Sequence, residues 1–230
     1  MYKRVLLKIS GEALSNGSEP IHYPTVEKTA KDIRALHEKG VEVGIVVGGG
    51  NIVRGRNATT QDRNRMDHMG MLSTAINALA LEDGLCALGV PCRVLSAVDM
   101  NRFCDSFSAR EANRLLAEKV VVIFACGLGS PFFSTDTAAA LRAAETGAEA
   151  LLLAKNVDAV YAEDPQVNPN AERYSHLSYD AVIANRLKAT DLTAITLCRE
   201  QNIPILVFAL SELLNVFDSK QAGTLIDEKG

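Results

Sequence analysis

Four short stretches of this 230-residue chain carry the residue types that handle phosphate. The densest is Gly48-Gly49-Gly50-Asn51, which closes the apolar run from Val43 to Val47 and is followed by Arg54 and Arg56. Glycines remove every Cβ where the run stops, so backbone N–H groups can crowd around an anion. The arginines would add fixed positive charge, although a tight turn with surface arginines uses the same residues. A second stretch is Lys8-Ile9-Ser10-Gly11. A lysine ending an apolar run is costly to bury unless its ammonium snorkels to water or meets an anion. The third runs from Cys126 to Asp136 and holds Gly127, Gly129, Ser134, Thr135 and Asp136. Thr135 or Asp136 reads equally well as a helix N-cap. The fourth is Lys155-Asn156-Val157-Asp158 with Tyr161 and Asp164. An amide, a ring and a carboxylate suit a nucleotide pocket, or an ordinary surface loop.

These stretches need elements to position them. Apolar, β-branched runs predict strands at Val5–Ile9, Val41–Val47, Arg93–Leu95, Val120–Ala125, Ala150–Ala154 and Ile205–Phe208. Helical spacing predicts helices at Thr25–Lys39, His68–Leu88, Ser108–Glu118, Thr135–Glu145, Tyr179–Leu187, Asp191–Gln201 and Leu210–Phe217. Met69, Leu72, Ile76, Leu79 and Ala80 form the apolar stripe of the long helix, and Asp67 stands before it as a cap or a ligand for a hydroxyl. Asp191 has the same two readings. Thr224–Ile226 is expected as a short edge strand, and Asp164–Tyr174 as an irregular loop. Strand–helix alternation of this kind predicts an α/β, three-layer αβα sandwich with a mostly parallel central sheet. All four polar stretches then fall at strand carboxyl ends, where such sheets bind ligands.

Composition sets the outer bounds. Hydrophobic residues make up 47% and charged residues 23%, as in an ordinary globular protein. A net charge of −4 gives no general attraction to nucleic acid or membrane surfaces, so basic residues must act locally. No apolar run is long enough to span a bilayer, and the charged start does not read as a signal peptide. The five cysteines form no C-x-x-C and are expected to be reduced thiols of a cytoplasmic protein. The four histidines do not pair at metal-ligand spacing. The chain also lacks a Walker loop and the G-x-S-x-G elbow of nucleophilic hydrolases. No linker divides it, so residues 1–230 are expected to form a single domain.

Together these residues resemble the amino acid kinase superfamily, and within it the bacterial uridylate kinases. The resemblance rests on Tyr2–Leu14, Val47–Asn51 with Arg54-Gly55, and Asp67-His68-Met69-Gly70-Met71, which is absent from the acyl kinases of the superfamily. Pro131–Asp136, Val157-Asp158 and Asp164-Pro165 complete it. It implies ATP-dependent phosphorylation of UMP with Mg²⁺, in pyrimidine nucleotide synthesis. The implied ATP residues are Lys8, Ile9, Ser10, Gly11, Gly50, Arg54, Asn156, Tyr161 and Asp164. The implied UMP residues are Gly49, Asp67, Leu128, Gly129, Ser130, Pro131, Phe132, Phe133, Ser134 and Thr135. Lys8, Arg54, Asp136 and Asp191 would be catalytic, with Asp191 orienting Lys8; the metal ligands stay unknown. The N-terminal part would bind mainly the acceptor and residues from about 150 to 230 mainly ATP. The resemblance also implies a homohexamer with UTP as inhibitor. Leu128 and Ser130 stand where the family has threonine and asparagine, so it specifies the reaction more firmly than the base. Residues 16–24 lack the glycine-rich pattern tied to GTP activation. The rivals are an acyl kinase of the same fold and a non-catalytic anion-binding protein.

Overall fold

The computed structural model describes residues 2–53, 62–219 and 222–230. Among them a nine-stranded sheet has the order β4-β3-β5-β2-β1-β6-β10-β11-β9. Its strands are β1 (Arg4–Ile9), β2 (Glu42–Val47), β3 (Cys92–Ser96), β4 (Asp105–Ser106), β5 (Val121–Ala125), β6 (Ala150–Lys155), β9 (His176–Ser178), β10 (Ile205–Ala209) and β11 (Thr224–Asp227). β11 runs antiparallel to β10 and parallel to β9, while the remaining pairs are parallel. Helices cover both faces, giving the three-layer sandwich. α1 (Tyr23–Glu38), α2 (Arg63–Ala87) and α7 (Leu213–Ser219) lie on one face. α3 (Ala109–Ala117), α4 (Thr135–Thr146), α5 (Tyr179–Ala184) and α6 (Leu192–Glu200) lie on the other.

β1 sits in the middle of the sheet, buried on both faces. Val5, Leu7 and Ile9 join the core under α1 and α2, and Leu6 joins the opposite core. Alternation puts Lys8 on the face of Leu6, toward α4. Because β5, β2, β1 and β6 are adjacent and parallel, the segments that follow them emerge along one rim.

Several expectations change. Thr224–Asp227 is interior, not an edge, since β9 pairs on its far side. The end of the expected loop forms a hairpin, β7 (Val160–Tyr161) with β8 (Arg173–Tyr174). Short strands with little apolar content give no periodic signal, which is why these were missed. The apolar stripe expected to pack α2 is turned outward: Met69, Leu72 and Ile76 are exposed, and Ser73, Thr74, Ala75, Asn77, Ala78, Leu81 and Leu85 are buried. Among the described residues no helix is long and apolar enough to cross a membrane.

Candidate active site

A cleft of about 750 Å³ opens along the rim. It gathers Lys8, Ser10, Gly11, Gly49, Gly50, Asp67, Phe132, Phe133, Ser134, Thr135, Asp136 and Asp191 from the sequence expectations. An adjoining cavity of about 140 Å³ shares Gly49, Asp67 and Thr135 with it and is lined by Leu128 and Ser130. A third, of about 410 Å³, is lined by Tyr161 and Asp164 and shares no lining residue with the first. Gly129 and Pro131 are in the loop beside these cavities without lining them. Asn156 is exposed and lines none of the three. The Ile9 side chain is buried in the core, which leaves its backbone as the part that could serve a ligand, and its carbonyl accepts from Gly48 N–H at 2.9 Å. Arg54 lies outside the described residues.

The glycines have a packing reason. A Cβ on Gly49 would sit 2.8 Å from the Gly70 carbonyl, and one on Gly11 would sit 2.9 Å from the Gly48 carbonyl. The bare backbone lets the β1 turn, the β2 turn and α2 pack against each other. Asn77, fully buried, pins that junction by donating to the Gly48 carbonyl at 2.6 Å.

The charged centre is Asp136. Lys8 Nζ lies 2.8 Å from its Oδ1, and Lys155 Nζ lies 2.5 Å from its Oδ2. Thr190 Oγ1 donates to the same Oδ2 at 2.8 Å. Burial pushes the Asp136 carboxyl up, but Lys8 and Lys155 outweigh that and hold it well below the usual carboxylate range. Burial and the neighbouring Lys8 push the Lys155 ammonium down, against the pull of Asp136. Asp136 is free for this because Ser134, not Thr135 or Asp136, caps α4. Ser134 Oγ accepts from Asp136 N at 3.0 Å and Thr137 N at 3.1 Å.

The ion-pair partner of Lys8 is Asp136, which was expected to lie close by. Asp191 caps α6 by accepting from Ala194 N at 2.8 Å. It also accepts from Thr137 Oγ1 at 2.9 Å and from Ser134 Oγ. It is thus the cap of α6 and ties that helix to the start of α4.

Asp67 is not the cap of α2 either. Asp62 is, accepting from Asn64 N at 2.9 Å. Asp67 stands one turn inside, where Arg63 Nε donates to both of its oxygens at 2.9 and 2.8 Å. Its Oδ2 also accepts from Phe132 N at 2.8 Å. Burial works against ionisation, but the Phe132 N–H and Arg63 outweigh it and lower the Asp67 carboxyl. Helix α2 and the loop after β5 are joined at this carboxylate.

Lys155 and Arg63 are site residues that the sequence reading did not single out as such. Lys155 carried the signal used for Lys8, a lysine closing an apolar strand. Arg63 gave none, because its spacing to Asp67 is that of any surface helical pair. Among the described residues no three His, Cys, Asp or Glu groups converge to hold a metal ion. Asp67, Asp136 and Asp191 are engaged by basic side chains, hydroxyls and backbone N–H groups.

Residues 3–209 match the amino acid kinase family. The chain belongs to that family. Two solved structures illustrate the likeness. The UMP kinase from Bacillus anthracis is 34% identical with a TM-score of 0.95, over 100% of this chain and 97% of that one. The UMP kinase from Ureaplasma parvum is 38% identical with a TM-score of 0.91, over 99% of this chain and 100% of that one. In this amino acid kinase family member the cleft along the β5-β2-β1-β6 rim is therefore the candidate active site.

Proposed function

We propose that the chain transfers the γ-phosphoryl group of ATP to UMP, making UDP and ADP. The observation that carries this is the pairing of Lys8 and Lys155 on Asp136 in a cleft that also holds the glycine turn and Asp67. The likeness to two UMP kinases over nearly the whole chain supports the choice of acceptor.

The obstacle to this reaction is repulsion between two anions. A UMP phosphate oxygen attacks the γ-phosphorus in line, and the bond from that phosphorus to the ADP oxygen breaks. The attacking group is already ionised at neutral pH, so no general base is needed. Lys8 and Lys155 meet the charge on the transferred group, while Asp136 fixes their positions. Backbone N–H groups at the Gly48–Gly50 turn and Arg54 are proposed to add to this. Asp67 is aimed at the acceptor ribose, and Leu128 to Thr135 wrap the nucleotide. Tyr161 and Asp164 line the cavity assigned to adenosine. Mg²⁺ is expected to arrive on the nucleotide, held by phosphate oxygens and water.

The single domain divides its work, with the acceptor mainly before residue 150 and ATP mainly after it. A homo-oligomer is part of the proposal, supported by the exposed Met69, Leu72 and Ile76 on α2. A panel of UMP, CMP, dUMP and GMP with ATP and Mg²⁺, followed by ADP release, tests the reaction and the Leu128 and Ser130 substitutions together. UMP should be the preferred acceptor. Turnover with glutamate or acetylglutamate, or none with UMP, would overturn the assignment.

A further inference from the structure

The loop that leaves β5 is strained along much of its length. Cys126 (φ 61°), Gly127 (57°), Gly129 (72°) and Phe132 (70°) all occupy the left-handed region. Two of these are not glycine, and such backbone persists only where its surroundings fix it. Three anchors are evident. Cys126 N donates to Thr74 Oγ1 at 2.8 Å, and Phe132 N to Asp67, both on α2. The third comes from the other face of the sheet: Arg142 Nη2, on α4, donates to the Gly127 carbonyl at 3.2 Å.

Arg142 is an unusual residue to bury, with 5% exposure. Its guanidinium lies 3.7 Å from the centre of the Phe107 ring, which meets Phe124 of β5 edge-on at 5.8 Å. Nη1 pairs with Glu145 at 2.5 Å, while Nε is buried without a hydrogen-bond partner. A cation kept only for stability would be replaced at little cost by an apolar side chain. Here the planar fork, held flat by Phe107, reaches the carbonyl between two left-handed residues and the acceptor side of the cleft.

We propose that Arg142 is a positioning residue for acceptor binding: it fixes the turn at Cys126-Gly127 and so sets where Leu128 to Thr135 meet the nucleotide. The idea rests on the proposed function for the identity of the acceptor, though not for the mechanical role. Arg142→Lys keeps the charge and loses the fork and the stacking. Losing one charge-assisted hydrogen bond should raise KM for UMP roughly tenfold while KM for ATP moves less than about twofold. Deuterium uptake should rise at residues 127–134 and stay unchanged in β1 and β6.

Unchanged uptake in that segment, equal rises in both KM values, or uptake spread through the sheet would each overturn the proposal. If Arg142→Lys fails to fold, Phe107→Leu, which removes the stacking and leaves the Glu145 pair, must give the same local pattern. If the wild-type protein makes no UDP, the proposed function falls. The exchange measurement still decides the role of Arg142.

Discussion

Arg4 and Lys8 stand at opposite ends of the same strand and on the same face of it, yet they do different work. Each shares a buried or part-buried carboxylate with a second cation. At the amino end of β1, Glu42 lies between Arg4 at 2.7 Å and Lys119 at 3.1 Å. At the carboxyl end, Asp136 lies between Lys8 at 2.8 Å and Lys155 at 2.5 Å. The first group has further protein partners: Arg4 Nη1 donates to Asn113 Oδ1 at 2.6 Å and to the Thr146 carbonyl, and Lys119 Nζ donates to the Gly40 carbonyl at 3.0 Å. In the second, Asp136 Oδ1 has the Lys8 ion pair but accepts no aligned hydrogen bond, and both lysines line the cleft. One carboxylate between two cations is therefore a staple where the cations are also tied to amide and backbone oxygens, and a reaction centre where they face a cavity.

The largest effect should come from Lys8→Ala. It should lower turnover by roughly a thousandfold or more, since one positioned donor is worth about 10²–10³ and Lys8 is a full charge. Thermal stability should change little, because Asp136 keeps Lys155. A parallel loss of melting temperature and turnover would erase the contrast between the two groups. Glu42→Ala should do the reverse. Breaking a buried pair from one side costs about 3–5 kcal/mol in a urea titration, with turnover of the folded fraction unchanged. Loss of turnover there would make both ends of β1 functional.

Asp67→Asn should raise KM for UMP by roughly tenfold, as expected for weakening one charged hydrogen bond, and leave KM for ATP alone. An effect confined to ATP would move Asp67 out of the acceptor site. The smallest effect concerns pH. Both Glu42 and Asp136 are held below their ordinary values. Below about pH 4 the unfolded chain then binds protons that the native carboxylates refuse, so stability present above that pH is lost as pH falls. Glu42→Gln should flatten the fall seen in urea titrations between pH 5 and pH 3, values chosen to straddle the carboxylate range of about 4. An unchanged slope would mean that the Glu42 group contributes nothing to acid sensitivity.

Much of the sandwich was legible because fully buried parallel strands are written as continuous β-branched and leucine runs. The central strands and the caps at Ser108 and Asp191 follow from residue type alone. The cleft was legible as four polar stretches at strand ends, since the parallel arrangement makes those ends neighbours. What stayed hidden depended on three-dimensional pairing. Nothing in the sequence says that Ser134 takes the capping role and frees Asp136, or that Asp136 sits between Lys8 and Lys155. The stripe on α2 misled for a physical reason: Met69, Leu72 and Ile76 have helical spacing suited to a buried face, but from Ser73 to Ala78 the sheet side of that helix is built from Ser, Thr, Ala and Asn, which lets it approach the glycine turn closely.

In the proposed reaction the phosphates of two nucleotides meet in one cleft between Lys8, Lys155 and the glycine turn. Calorimetric titration with a compound joining adenosine and uridine through five phosphates tests it most directly. Linking two ligands that bind side by side should give affinity at least about a hundredfold above ATP or UMP alone, with both displaced at one-to-one stoichiometry. Affinity no better than that of ATP, or UMP still binding to the saturated complex, would show that the two nucleotides do not share the cleft.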